Sequence, residues 1–442
     1  MKATKIFMMA ALALMTAACS NDDNDILTPA EQPAKAEGIP FTATISISQS
    51  ASTRALTENG TKIEATWAVD DKVALIHNGV KDEMTVSAVN AGVATITGTI
   101  TGSPSGGDAV TIIYPSDAAD GTTGNVKSDW LSSQVGTLKG TSGTSIEEKY
   151  DVRKGSGALN ASGTSLDGTI SLTNQNAIFK LTLKDIDGTN DVSARSVVIS
   201  DQTGVVTTVT PASGYENAMY VALPTTATTL KFLVTGSDSK KYFNMASGLS
   251  LNASYYQSTV KLATVGDVIL STGKCAKAGT GSPVAMIAYL GSDNGEAAPY
   301  NHGLALALSD ANGGSTCQWS TSFTNVHGYK PTSSSFASES GLQYNATQNS
   351  DAYPAFKAAI ANNGTAAPTG CSAWFLASGY QWQKMAGAVG GLNNLGLQGG
   401  AFYWSSSEFN PYFSAWSFNS GSGNWYNDYK DSAYRVRACL AF

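Results

Sequence analysis

Phe41-Thr42-Ala43-Thr44-Ile45-Ser46-Ile47 places apolar and small polar side chains at alternate positions, and a period of two sends each set to one face of an extended strand. The same alternation returns in Val93-Ala94-Thr95-Ile96-Thr97, Ala109-Val110-Thr111-Ile112-Ile113-Tyr114 and Ile178-Phe179-Lys180-Leu181-Thr182-Leu183, with Gly, Asn, Asp and Pro between the runs. Half-buried strands punctuated in this way build sandwiches. No helix-period segment of comparable strength interrupts residues 39–262, and a Gly/Ser/Thr-rich stretch over 136–168 has little apolar content. That stretch is the expected passage between two sandwiches, 39–150 and 151–262.

Toward the N-terminus, Lys2 and Lys5 precede an apolar run from Ile6 to Met15, and Ala17-Ala18 stand before Cys19. A basic start, an apolar run too short to span a bilayer and small residues at its end mark residues 1–18 as a secretory signal. The run Leu14-Met15-Thr16-Ala17-Ala18-Cys19 resembles a bacterial lipobox, which implies cleavage and lipidation of Cys19 and an outer-membrane lipid anchor; a plain signal peptide with an incidental cysteine is the alternative. Ser20-Asn21-Asp22-Asp23 resembles the surface-export signal of Bacteroidetes lipoproteins, and the rest of 19–38 reads as a flexible Pro/Ala/Glu tether. The implied location is the cell surface, as an outer-membrane lipoprotein or in a pilus.

A length of 442 residues with 42% hydrophobic content supports several cores. Removing residues 1–18 takes away two lysines and no acid, so the net charge moves from −7 to −9. Nothing basic is available to hold nucleic acid or an anionic membrane by charge. After Cys19 the next cysteine is Cys275, followed by Cys317, Cys371 and Cys439. An even count in an exported region suggests two disulfides with three connectivities, four free thiols being the alternative. No pair has metal-ligand spacing.

From Ala263 the pattern changes. Val265–Leu270, Met286–Leu290 and His302–Leu308 read as strands, and two helices follow. Asp351 is placed to cap a helix carrying Tyr353, Phe356 and Ile360 on one face, ending near Asn362-Asn363-Gly364. Ser378 and Gln381 form a capping box ahead of Trp382, Met385 and Val389. Residues 263–442 are therefore expected to form an α+β domain. Between Phe402 and Tyr434, twelve of thirty-three positions are aromatic and most others are Ser, Asn, Gly or Asp. Tyr and Trp supply contact area at low entropic cost while Ser, Gly and Asn adapt their hydrogen bonding, as in antibody paratopes.

Alternation sorts this segment. Trp404, Trp416 and Phe418 fit a regular buried pattern, whereas 409–413 and 424–429 mix aromatic and polar residues without period. The ligand-binding candidates are Phe409, Asn410, Tyr412, Phe413, Ser417, Asn419, Asn424, Trp425, Tyr426, Asn427, Asp428 and Tyr429. Trp425, Tyr426 and Tyr429 are the expected aromatic anchors, and Asn424, Asn427 and Asp428 the hydrogen-bonding partners. Replacing Trp425 and Tyr426 by Ala is expected to abolish binding and leave the melting temperature nearly unchanged.

Two resemblances sharpen the reading. Phe41-Thr42-Ala43-Thr44-Ile45, Thr53-Arg54-Ala55, Trp67-Ala68-Val69-Asp70-Asp71-Lys72-Val73-Ala74-Leu75, Tyr114-Pro115, Asn176–Leu181 and Tyr220–Pro224 resemble, in order, the landmarks of Bacteroidetes fimbrillins over residues 39–262. The resemblance implies tandem transthyretin-like β-sandwiches and other fimbrial subunits as partners. In pilus-forming members an N-terminal strand is removed after an arginine; Arg54 is the matching position, and an exposed arginine in a protein that never polymerises is the other reading.

The second resemblance covers residues 263–442. Gly266–Leu270, His302–Leu306, Trp374-Phe375-Leu376-Ala377-Ser378, Tyr403–Glu408, Ala415–Phe418 and Arg435-Val436-Arg437-Ala438 are similar to the C-type-lectin-like fold, in the branch shared with formylglycine-generating enzymes and receptor-binding proteins. Ala377 departs from the usual proline. The implied fold class is multidomain: all-β tandem sandwiches followed by an α+β C-type-lectin-like domain. Its C-terminal surface resembles retroelement-diversified recognition faces, a fixed recognition loop being the alternative.

Catalysis is not expected. Formylglycine generation uses a redox-active cysteine pair, and Cys439 has no close partner in sequence. His77, His302 and His327 stand singly, with His302 read as structural, and the carboxylates Glu408, Asp428 and Asp431 have no telling spacing. The calcium motifs of C-type lectins are not intact, since Asn427-Asp428 lacks an immediately preceding tryptophan. The expectation is a calcium-independent adhesin without cofactor, binding a glycan or protein ligand on a host or neighbouring cell; a fimbrial anchor or shaft subunit is the alternative.

Overall fold

In the computed structural model, residues 38–442 are described except 48–55, 60–61, 65, 122, 141–143, 327–331, 334–335 and 337. Cys19, Arg54 and His327 lie outside the described residues. Strand β1 (Ile39–Ile47) buries Phe41, Ala43 and Ile45 and turns Thr42 outward, as the alternation requires. Then come β2 (Thr57–Asn59), β3 (Lys62–Glu64), β4 (Lys72–His77), β5 (Val80–Asn90), β6 (Val93–Ile100), β7 (Ala109–Tyr114), β8 (Ser133–Gln134), β9 (Arg153–Ala158) and β10 (Ile170–Asn174). Seven of these close into a barrel in the order β1-β10-β9-β7-β4-β5-β6. Closure leaves no open edge. Within it β1 pairs antiparallel with β6 and, over Ile45 to Ile47, parallel with β10. Trp67 is buried edge-on against Tyr114, with ring centroids 5.2 Å apart. The Asp71 carboxylate accepts the Ala68 amide at 2.9 Å, which shapes the acidic turn after the tryptophan.

The second unit is a sandwich built from β11 (Asn176–Asp185), β12 (Ala194–Ser200), β13 (Val205–Val209), β14 (Ala218–Pro224), β15 (Thr229–Gly236), β16 (Lys241–Ser247) and β17 (Tyr255–Leu262). One sheet runs β14-β11-β17 and the other β16-β15-β12-β13-β8. Leu181, Leu183, Val221 and Val260 from the first meet Val197, Ile199, Val209 and Val234 from the second.

Three features interlock barrel and sandwich. A single residue, Gln175, separates β10 from β11, so one extended run serves both. Strand β8 leaves the barrel sequence to pair with β13, and Gln134 bonds both the amide and the carbonyl of Ala222. The hairpin β2–β3 reaches the outer face of β14-β11-β17, where Glu58 accepts hydrogen bonds from Lys180, Tyr220, Tyr255 and Gln257, contributed by all three strands. The passage expected at 150 is therefore corrected. Strands β9 and β10 complete the barrel, and strand pairing passes to the sandwich at Gln175.

The C-terminal region is α+β. Its strands are β18 (Val268–Leu270), β19 (Cys275–Ala276), β20 (Pro283–Leu290), β21 (Gly303–Ala307), β22 (Cys317–Gln318), β23 (Phe375–Leu376), β24 (Phe402–Glu408), β25 (Ser414–Asn419), β26 (Trp425–Tyr429), β27 (Ala433–Tyr434) and β28 (Ala438–Ala441). Its helices are α1 (Gly341–Thr347), α2 (Pro354–Ala361) and α3 (Gly379–Val389). A six-stranded sheet, β19-β18-β20-β21-β28-β23, lies beside the three-stranded sheet β24-β25-β26.

Helix α3 starts with the predicted capping box, in which Ser378 and Gln381 satisfy each other's amides, and ends at Gly390 in the left-handed region (φ 81°). Such a cap contributes about 1 kcal/mol. Asp351 is not the cap expected for α2: Pro354 occupies the first helical turn, Tyr353 precedes it without a side-chain cap, and Asp351 ion-pairs with Lys357 instead. Leu233, Phe243 and Met245 of the sandwich share one core with Ile269, Ile287, Trp319, Trp404 and Phe442. Phe243 and Phe442 lie 4.5 Å apart between centroids, so the C-terminal region is packed onto the sandwich with no linker between them.

Candidate recognition face

The β24-β25-β26 sheet supports the aromatic segment, and its interior is unusually polar. Ser405, Ser406, Ser407 and Glu408 are all buried. Such groups are costly unless bonded, and all of them except the Ser406 hydroxyl find a partner. Ser405 Oγ donates to the Trp416 carbonyl at 2.9 Å, the Gly379 amide donates to Ser407 Oγ at 2.9 Å, and Ser407 also bonds the Glu339 carboxylate. Trp319 Nε1 reaches the Ser405 carbonyl at 2.8 Å and Trp404 Nε1 the Cys317 carbonyl at 3.0 Å.

Glu408 forms an ion pair with Lys430, both wholly buried. The carboxylate also accepts the Val326 amide at 3.0 Å, while Lys430 Nζ donates to the Thr324 carbonyl at 2.8 Å and sits 5.0 Å from the Trp319 ring centre. Burial pushes the Lys430 ammonium below its ordinary range, and Glu408 opposes that shift. The pair thus joins the end of β24, the end of β26 and the 319–326 segment at one point.

Over this anchor stands the 409–413 loop. Asn410 Oδ1 accepts the amides of Tyr412, Phe413 and Ser414 at 3.0, 2.6 and 3.3 Å, and the Lys430 amide donates to the Phe413 carbonyl at 2.9 Å. With its backbone committed, the loop turns Tyr412 and Phe413 outward, 61% and 55% exposed. Tyr429, paired across from Ser414, is 64% exposed. Phe323 adds a further exposed ring, 5.9 Å from Phe413. Sequence reasoning missed Phe323, because an isolated phenylalanine in a Ser/Thr-rich run carries no pattern.

The other candidates divide by location. Asn424 and Asn427 are exposed. Tyr426 is exposed on the opposite face of β26, edge-on to Phe402, which stacks on Tyr434. Trp425 is half-buried among Phe336, Trp416 and Phe418, with centroids 5.1–6.2 Å away, and Phe409 packs on Trp416 at 5.3 Å. Ser417 is fully buried and bonds the Asp428 carboxylate, which also raises the Tyr434 phenol after the larger effect of burial. Asn419 shapes a turn by accepting the Gly421 and Ser422 amides, each at 3.0 Å. The expectation that Trp425 is free of structural duty is therefore corrected. Trp404, Trp416 and Phe418 are buried, as alternation indicated.

Two disulfides were expected, but all four cysteines are free. Cys275 in β19 and Cys439 in β28 lie four strands apart in one sheet, about 19 Å at the usual strand spacing, beyond the reach of a bridge. Burial pushes the Cys275 and Cys371 thiols up to about 12 and Cys317 to about 11. Each lies far above neutrality, where thiolate nucleophiles work.

Of the carboxylates, Glu408 is committed to Lys430 and Asp428 to Ser417, while Asp310 binds Arg435, Arg437 and Tyr403 to hold the C-terminal strands. His77 is buried 3.5 Å from the Asp82 carboxylate. His302 Nε2 lies 2.8 Å from Ser200 Oγ, and burial pushes its imidazole down to about 4. Among the described residues no group of three His, Cys, Asp or Glu side chains is arranged to hold a metal ion.

No family profile and no curated protein matches the chain. Among solved structures it is similar to a fimbrial protein from Bacteroides ovatus ATCC 8483, with 14% identity over 92% of this chain and 100% of that one at a TM-score of 0.34. It is also similar to a fimbrial assembly protein from Parabacteroides distasonis ATCC 8503, with 11% identity over 50% of this chain and 90% of that one at a TM-score of 0.28.

Proposed function

We propose that this chain is a cell-surface adhesin, lipid-anchored through Cys19, whose C-type-lectin-like domain binds a glycan or protein ligand through the rings at the end of the β24-β25-β26 sheet. One observation carries the reading: Tyr412, Phe413, Tyr429 and Phe323 are exposed together over a backbone pinned by Asn410 and the buried Glu408–Lys430 pair. Large rings held outward at a hydration cost are a feature of interaction sites. Their pre-ordered backbone lowers the entropic cost of binding.

The test is cell adhesion, with glycan and protein array binding, of the Tyr412→Ala/Tyr429→Ala variant against wild type. Both rings are exposed, so the melting temperature should hold while binding is lost. Retained binding would remove this surface from the function. Deep sequencing of codons 400–442 across a natural population addresses diversification: variation at Tyr412, Asn424, Tyr426 and Asn427 with Trp404, Trp416 and Arg435 constant is the expected pattern, and an invariant segment would indicate one dedicated ligand.

A second reading, a fimbrial subunit, is favoured by the place of β1 between β6 and β10, because its removal would open a slot bounded by two strands. Under that reading the mature chain begins after Arg54. Mass spectrometry of protein recovered from cells would find residue 55 as the new start, and an intact 39–54 segment would exclude it.

A further inference from the structure

A cleft of about 420 Å³ opens where the sandwich meets the C-terminal region, a volume suited to a small ligand and a location typical of ligand sites. One wall is the face of β12 and β15. Along their register Ser196 lies opposite Thr235, Val198 opposite Leu233 and Ser200 opposite Lys231. The last row is sealed under the C-terminal region, where Lys231 Nζ donates to the Pro299 carbonyl at 2.5 Å and Ser200 meets His302. The first two rows face the cleft, with Tyr289 and Asp293 on the other wall.

The chemistry of these walls narrows the ligand. Asp293 is neutralised by Lys384 and bonded by Tyr289, and Lys241 at the rim donates to Thr235 at 2.7 Å. Lys241 keeps its charge but is exposed to water at the rim, and the inner end, lined by Asn301 and a neutral His302, brings none. Val198, half-buried, offers an apolar patch between the hydroxyls of Ser196, Thr208 and Thr235, with Leu233 almost wholly covered beside it. At the inner end His302, 2% exposed, has no hydrogen-bond partner on Nδ1, and the neighbouring Asn301 has none on Oδ1. A hydroxyl both donates and accepts, so it satisfies an amide oxygen and either tautomer of a neutral imidazole.

We propose that this cleft binds a neutral carbohydrate of one or two rings, laying an apolar ring face on Val198 and directing hydroxyls to Asn301 Oδ1 and His302 Nδ1. Both polar atoms are buried, so binding includes a small yielding of the wall around residues 289–302. The site is separate from the aromatic face and does not rest on the reading of that face.

Saturation-transfer NMR on the full chain, with a panel of neutral mono- and disaccharides, tests it. Wild type and Tyr412→Ala/Tyr429→Ala are expected to transfer saturation to at least one sugar. Val205→Trp, which fills the mouth from an exposed position, should weaken that sugar by about tenfold or more. Thr208→Trp serves the same purpose should circular dichroism show Val205→Trp unfolded. No transfer from wild type to any sugar would overturn the proposal. So would transfer that both blocking variants retain, or transfer lost in Tyr412→Ala/Tyr429→Ala, which would move the sugar to the aromatic face.

Discussion

Glu58 and Glu408 each hold a short segment against a sheet with the help of a lysine, one near the surface and one in the dark interior. Glu58 fastens the β2–β3 hairpin through Lys180, two phenols and an amide, and Lys180 with the two phenols holds its carboxyl down at about 2. Glu408 meets Lys430 where neither side chain touches water, and there burial is the leading influence on the ammonium. At the outer site water remains an alternative partner for every group. At the inner site none does, so the pair stabilises little by existing and costs much when halved. The outer pair is a fastener, whereas the inner pair is a condition for the 409–413 loop to have one shape.

The strongest way to break that contrast is Glu408→Ala. Leaving Lys430 buried without its carboxylate should cost about 3–5 kcal/mol, read as a lowered denaturation midpoint, while the paired replacement Glu408→Leu/Lys430→Met should recover most of it. If the single and paired variants were equally damaged, the ion pair would not be the source of the loss. Next in size is Trp425→Ala. Cutting a half-buried indole out of the Phe336–Trp416–Phe418 cluster should cost about 2–4 kcal/mol, against the neutral outcome expected from the sequence. An unchanged melting temperature would return Trp425 to the free surface.

Glu58→Gln should cost less, about 1–2 kcal/mol after allowance for solvent around the pair. Its signature is pH dependence. A carboxyl whose folded value is about 2 against an ordinary 4.5 contributes stability that is complete above 4.5 and lost as the pH falls toward 2. Urea titrations at pH 6 and pH 3 should therefore separate wild type from Glu58→Gln at the first pH and show the gap cut by about half at the second. A difference undiminished at pH 3 would assign the effect to packing. The smallest stability change belongs to Tyr412→Ala/Tyr429→Ala, within about 0.5 kcal/mol, and a larger loss would mean that these rings serve the fold.

Much of the architecture was legible where neighbours in sequence are neighbours in space. Period-2 alternation located β1, β6, β7 and β11, the box at Ser378 and Gln381 located α3, and regular alternation sent Trp404, Trp416 and Phe418 inward. The helix α1 carries a similar signal, Ser340 three residues before Gln343. What stayed hidden depends on long-range pairing. Nothing local to Ser133-Gln134 shows that it joins β13, and nothing local to Trp425 shows that Phe336 will cover it. The candidate site followed the same division. The segment was found by composition, but which rings face outward was decided by Asn410, Lys430 and a distant Phe323.

The Phe243–Phe442 contact and the β10–β11 run, interrupted only at Gln175, bear on what happens when the molecule is pulled. Tension applied at the aromatic rings enters the sandwich through a packed core with no hinge to absorb it. It reaches the barrel along a strand flanked by β14 on one side and β17 on the other. Such a strand must slide against two neighbours at once, breaking its ladder bonds together and not one after another. Under the adhesin function proposed above, the described region would carry such traction as one stiff body.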